Sequence, residues 1–275
     1  MLAVLLGALL HSAWNAMIRS SSDRALDMVL VVTGATVITG CLLPFSSLPA
    51  TASWPYLIAS GVIHLVYFTL VALSYRHGEL SFAYPIMRGS APVLSAIAAA
   101  LLLAEWPSAG GWLGVLLICG GVMLLAADSW RNGQLNRQAT LFALATAGTI
   151  VIYTLVDGIG ARLSGNPAVY TGWVFVLTAV PLLALFSKVH GRRTATYLHR
   201  HWKRGLVGGA CTLASYALSL WAITQAPIAL VAALRETSVV FGAVIAATLL
   251  REPVSRNRWL AILVVVAGAI AIKMA

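Results

Sequence analysis

The apolar residues of this chain follow neither the period of two of a half-buried strand nor the one-sided stripe of a soluble helix. They come in long unbroken blocks, at 2–18, 27–45, 55–74, 82–104, 110–127, 140–160, 168–187, 205–224, 228–250 and 259–273. A helix needs roughly 20 apolar residues, with a range of about 17–25, to cross about 30 Å of hydrocarbon. The pattern therefore predicts ten membrane-spanning helices, of which the last is short. The first block lacks a preceding basic residue, and Arg19 and a serine run follow it in place of a small-residue cleavage site, so it reads as a retained helix rather than a signal peptide.

Composition agrees with this solvent. The chain is 60% hydrophobic and 9% charged, with mean hydropathy +0.89, whereas about a quarter of a soluble domain is charged. The expected class is an all-α integral membrane protein. Cys41, Cys119 and Cys211 all fall inside apolar blocks, where a free thiol packs as a small hydrophobe. They imply no disulfide framework and no metal site.

The net charge of +10 does not imply nucleic acid, because the basic residues are divided among loops rather than gathered on one face. Numbering the loops in order, the odd ones carry Arg19, Arg24, Arg76, Arg131, Arg137, Lys188, Arg192, Arg193, Arg200, Lys203, Arg204, Arg251, Arg256 and Arg258. The even loops and the C-terminus carry Arg162 and Lys273 alone. By the positive-inside rule the odd loops face the cytoplasm and both termini lie outside. Residues 188–204, which also hold His190, His199 and His201, read as a solvated basic loop against anionic headgroups in preference to a metal site.

A shift of 147 residues aligns RGSAPVLSAIAAALLLAEWPSAGGWLGVLLICGG (88–121) with RETSVVFGAVIAATLLREPVSRNRWLAILVVVAG (235–268) without a gap and with twelve identities, among them Arg88/Arg235, Glu105/Glu252, Ser108/Ser255 and Trp112/Trp259. Two five-helix halves follow, 1–127 and 140–275, joined by a polar linker at 128–139. Because five is odd, the second half enters the membrane upside down. Inverted repeats of this kind belong to secondary transporters, whose site lies at the repeat interface near the midplane.

The repeat places Arg88 and Arg235 inside apolar helices at equivalent positions. A buried arginine is costly enough that it faces a cavity or a partner, unless its long side chain snorkels to the interface. Entering from opposite faces, the two guanidiniums flank the midplane of one cavity. Their forked donors suit a carboxylate or phosphate. Glu236 follows Arg235 directly and so projects about 100° away from it; it either pairs with Arg88 across the repeat interface or carries a coupling proton. Trp14, Asn15, His64, Tyr84 and Tyr153 complete the expected substrate-binding set, with His11, Tyr67, Tyr75 and Tyr216 as further polar wall residues. His11, Trp14 and Asn15 share one helix face. Interhelical hydrogen bonding accounts equally for each of these residues taken singly. Asp157, close to the predicted end of its helix and to Arg162, reads as interfacial. Pro85 and Pro92 bracket Arg88 and predict a kink or opening of the fourth helix. Gly110 and Gly114 predict close helix packing.

The motifs LLLAEWPS (101–108) and TLLREPVS (248–255), each between a helix and a Gly-containing last helix, together with HSAWNAMIRSSSD (11–23), resemble the EamA domains of the drug/metabolite transporter superfamily. The resemblance covers essentially the whole chain. It implies a ten-helix secondary carrier or exporter that works without ATP. Characterised ten-helix members of that superfamily have both termini in the cytoplasm, and the charge count here argues the reverse.

The expected function is secondary active transport, as an exporter, of a small anionic or zwitterionic organic metabolite such as an amino acid or organic acid, by alternating access. A flippase for a phosphate-linked lipid carrier is the alternative. Partners are the small-molecule substrate and the lipid bilayer of a bacterial inner membrane, not nucleic acid, with the protein a monomer or weak homodimer. No cofactor is implied. An intramembrane enzyme would need clustered acids and bases or a His-Glu-x-x-His pattern, and the sequence has none.

Overall fold

The computed structural model describes residues 1–21, 23–77, 80–125, 137–248 and 256–275, and within helices omits the side chains of residues 19, 72, 75–77, 80–84 and 246. Most of the linker and the TLLREPVS motif lie outside the described residues. So do the side chains of Tyr75 and of Tyr84, one of the expected binding residues.

The described residues form α1 (Leu2–Arg19), α2 (Arg24–Leu42), α3 (Trp54–His77), α4 (Leu80–Leu103), α5 (Ala109–Leu124), α6 (Arg137–Leu163), α7 (Pro167–His190), α8 (Arg192–Ile223), α9 (Ile228–Arg235), α10 (Ser238–Thr248) and α11 (Arg256–Met274), with no strand among them. Eight helical stretches are long and apolar enough to cross a membrane, and two shorter apolar helices, Leu2–Ile18 and Ala109–Leu124, accompany them. The chain is thus a multi-pass membrane protein.

Caps place the helix starts. The Asp23 carboxylate accepts from the Leu26 N–H at 3.1 Å, and Asn166 Oδ1 from the Ala168 and Val169 N–H groups at 3.1 and 3.3 Å. Each satisfies donors that a helix N-terminus would otherwise leave orphaned.

The packing repeats with the sequence. α1 lies along α8 as α6 lies along α3, α2 packs on α8 and α7 on α3, and α5 packs against α11. At that last contact a Cβ built on Gly121 would meet the Ala261 carbonyl at 3.0 Å, and one on Gly268 the Gly114 carbonyl at 2.8 Å. Exchanging each residue for its partner 147 positions away turns one contact into the other. The pseudo-two-fold axis therefore runs through this small-residue seam, where missing side chains let backbones approach. Gly110 belongs to the same seam, its Cβ position 3.0 Å from Ala275 Cβ.

Two expectations are corrected. Residues 188–204 are not an open loop: α7 runs to His190, Gly191 turns the chain at φ +56, and α8 begins at Arg192 and enters its apolar part through a kink at His201. A run of Arg, His and Tyr has adequate helix propensity, and Gly191 supplies the left-handed turn that other residues avoid. Further, α4 continues as helix through both Pro85 and Pro92. The interruption falls instead at Glu236 and Thr237, between α9 and α10. There the Glu236, Thr237, Val239 and Val240 N–H groups bond three residues back, to Ala233, Leu234, Glu236 and Thr237, and the Thr237 hydroxyl donates to the Leu234 carbonyl at 2.7 Å. Such a tightened turn amid an apolar helix marks a hinge, and the local hydroxyl bond offers the backbone an alternative to the regular ladder.

Candidate functional site

Three charged side chains meet where α4 faces the break between α9 and α10. Arg88 sits eight residues into α4, about 12 Å along the axis at 1.5 Å per residue. It is only 7% exposed, so it does not snorkel. Its Nε lies 2.9 Å from Glu236 Oε2, and Glu236 is 4% exposed. The two form a buried ion pair. Of the two sequence readings of Glu236, the cross-repeat pair is the arrangement present.

Arg235 is placed differently. Its guanidinium carbon stands 5.3 Å over the ring of Tyr216, a cation–π contact. No carboxylate within 4.0 Å and no hydrogen-bond acceptor engages it among the described residues. Arg88, Glu236 and Arg235 line a small cavity with Ser95, Tyr153 and Thr154. Its free space is ≈ 10 Å³, room for about one water.

Beside it is a cluster the sequence did not assemble. Asp157, expected at an interface, is 0% exposed. The correction has a simple cause: α6 extends to Leu163, which carries Asp157 one and a half turns inward, and α7 and α8 close over it. Tyr170 of α7 donates to Oδ1 at 3.1 Å, and Tyr216 of α8 donates to Oδ2. Ser60 and His64 of α3 face the same carboxyl. His64 Nδ1 donates to the Ser60 carbonyl at 2.9 Å, and its ring stacks on Tyr153 at 4.8 Å.

Trp14 and Asn15, expected to bind substrate, are not among the residues that line the cavity. His11 and Trp14 of α1 meet edge to face at 5.0 Å, and the Trp14 indole N–H is buried without an acceptor among the described residues. Asn15 donates to the His11 carbonyl of its own helix at 2.7 Å, so its amide holds α1 rather than a neighbour. Tyr216 was only a wall residue in the sequence, and Tyr170 and Ser60 were not singled out. One signal was available: Tyr153 and Asp157 lie four apart and share a face, so a buried Tyr153 implied a buried Asp157.

Towards each end of the bundle, charged pairs join the two halves. At one end Glu105, from LLLAEWPS, pairs with Arg162 and accepts from the Ile228 N–H, at the start of α9, at 2.9 Å. Arg162 also donates to the Ile223 and Ala226 carbonyls at 3.0 and 3.2 Å. Ala104, with φ +55, turns the chain sharply before Glu105, a left-handed conformation that costs about 1–2 kcal/mol in a non-glycine residue. At the other end Arg204 lies 3.0 Å from the buried Asp27, Tyr197 donates to Asp27 at 2.7 Å, and Arg193 reaches Asp23 at 2.7 Å. Burial raises the Tyr197 phenol above its ordinary pKa, so it stays a donor throughout the neutral range.

The Glu105 tie predicts a change in access. Removing a hydrogen bond to a charged group costs about 1.5–3 kcal/mol, roughly a factor of ten or more in the closed population. Glu105→Ala is expected to speed thiol labelling of a Thr154→Cys variant by about tenfold. An unchanged rate would show that this contact does not hold the end closed.

The chain matches the model of the EamA-like transporter family twice, over residues 1–127 and 137–274. No curated protein matches it. A solved crystal structure shares its fold at TM-score 0.72 and 17% identity, covering 99% of this chain and 98% of that one.

Proposed function

The chain belongs to the EamA-like transporter family, and from that premise we propose that it is a secondary carrier for a small organic anion or zwitterion, bound through its carboxylate or phosphate at Arg235. One observation carries this reading: Arg88 is neutralised by Glu236, while among the described residues Arg235 is held against an aromatic face alone. The cavity therefore has a guanidinium whose forked donors no described residue engages, the group best shaped for a bidentate anion.

A space of ≈ 10 Å³ admits no metabolite, so transport requires the halves to separate at one end at a time. The cross-repeat ties at each end supply two such closures, and the turn at Glu236 and Thr237 supplies a hinge beside the site. The charge rule puts the Glu105–Arg162 end outside and the Asp27–Arg204 end in the cytoplasm of a bacterial inner membrane, with export as the direction. A small enclosed space supports a water-soluble substrate over a lipid-linked one.

The test is thermal unfolding of the purified protein with L-glutamate, L-malate, inorganic phosphate, methylphosphonate, L-leucine and L-lysine. A ligand at about 100 times its Kd stabilises by about 2.7 kcal/mol. Stabilisation by one or more of the first four that disappears in Arg235→Ala is the expected result. Stabilisation by L-leucine or L-lysine that survives Arg235→Ala would overturn the anion reading.

A further inference from the structure

Asp157 is a fully buried carboxyl that the anion site does not use. It belongs to no ion pair: among the described residues no Lys, Arg or His nitrogen lies within 4.0 Å of it. Its two oxygens receive hydrogens from Tyr170 and Tyr216. Two hydroxyl hydrogens already occupy lone pairs that a metal ion would need; they favour the ionised carboxylate, and it is full burial without an ion-pair partner that leaves a proton as the means of neutralising the charge. The ionisable and charged neighbours are few. His64 comes from α3, Tyr170 from α7, Tyr216 from α8, Tyr153 from Asp157's own helix, and Arg235 from α9 beyond the Tyr216 ring.

Tyr216 joins this cluster to the anion site. Its hydroxyl donates to Asp157 while its ring face carries Arg235 at 5.3 Å. An ionised Asp157 draws on the phenol, makes the ring a stronger seat for the guanidinium, and repels a second anion entering the cavity. When Asp157 takes a proton from water admitted by an open end, the charge is lost and the new O–H can donate to the Tyr216 oxygen. Arg235 is then released towards the cavity.

We infer that Asp157 is a proton-binding site coupled through Tyr216 to the anion site at Arg235, so that proton and anion bind together and leave together, export being driven by the anion's own outward gradient. The coupling rests on the carrier reading above, but the proton site does not, and the experiment separates them. Linkage requires reciprocity: if protonation raises anion affinity, anion binding raises proton occupancy by the same factor.

The first arm is infrared difference spectroscopy of the reconstituted protein, without any anion, between about pH 5 and about pH 9. A protonated-carboxyl C=O band that titrates in the native protein and is missing in Asp157→Asn is expected; no such band, or one that persists in Asp157→Asn, overturns the proton site. Should Asp157→Asn not fold, Tyr216→Phe keeps the ring beneath Arg235 and removes one donor. It must displace the midpoint of the band, and an unmoved midpoint counts against the assignment. The second arm measures binding of whichever of L-glutamate, L-malate, phosphate or methylphosphonate stabilises the native protein. Affinity should fall by about 5–150-fold as pH rises through the titration of the band, and this dependence should vanish in Asp157→Asn. The same pH dependence in both proteins overturns the coupling. A titrating band with no anion bound at any pH refutes the carrier's anion site and the coupling with it, and leaves the proton site standing.

Discussion

Replacing Arg88 by leucine is expected to lower stability by about 3–5 kcal/mol, and replacing Arg88 and Glu236 together by leucine and methionine is expected to recover most of that loss. The asymmetry follows from burial. Removing Arg88 alone leaves a carboxylate that is 4% exposed without the cation 2.9 Å away. Desolvating an unpaired charge is far costlier than forgoing a well-packed pair. Arg235, the next residue to Glu236, still exerts some field on it, which puts the single variant towards the lower end of the range. Anion binding by the double variant should persist, because Arg235 keeps its seat on Tyr216. The check is denaturant unfolding of the four proteins of the cycle beside the ligand-induced stabilisation. A single variant as stable as the native protein would mean that Glu236 is not confined to a dry site.

Much of this arrangement was legible because it is written in long-range patterns. The apolar blocks gave the all-helical, multi-pass character, since hydrocarbon admits only helices or closed barrels, while two of the ten expected spans are shorter apolar helices beside eight long enough to cross. The 147-residue repeat put Arg88 and Arg235 in related places, and the structure brings both to one cavity. What escaped was decided locally. The break after Arg235 depends on a hydroxyl, Thr237, competing for a backbone carbonyl, and hydroxyls sit in many unbroken helices. Asp157 was misplaced because three residues at a helix end change interfacial to buried. The Glu105–Arg162 tie joins residues 57 positions apart in opposite halves, a pairing that charge alone does not reveal among so many basic loops. The repeat pointed to Glu105 as special through its match with Glu252, but not to what it holds.

The two halves also meet without charge, and there a single methyl is expected to do the largest damage to folding. Gly34 of α2 lies so close to α8 that a Cβ on it would fall on the carbonyl of Gly205, and a Cβ on Gly209 would fall on the backbone of Gly34 and Ala35. These obstacles are main chain, so no rotamer change relieves them and the helices must part. Parting them forfeits dispersion along the crossing and draws Arg204, the neighbour of Gly205, away from Asp27, which it now approaches at 3.0 Å. Overpacking usually costs about 1–3 kcal/mol. Gly34→Ala belongs at or above the top of that range, and Gly34→Val is expected to prevent folding. Gly40 lies on the same helix with nothing within 4 Å of its Cβ position, so Gly40→Ala should be neutral to stabilising by up to about 1 kcal/mol and controls for helix propensity. Yield of monodisperse protein and its unfolding midpoint are the readouts. If Gly34→Ala is as stable as Gly40→Ala, α2 and α8 do not cross at backbone contact, and the Asp27–Arg204 and Asp23–Arg193 pairs hold the two halves at that end.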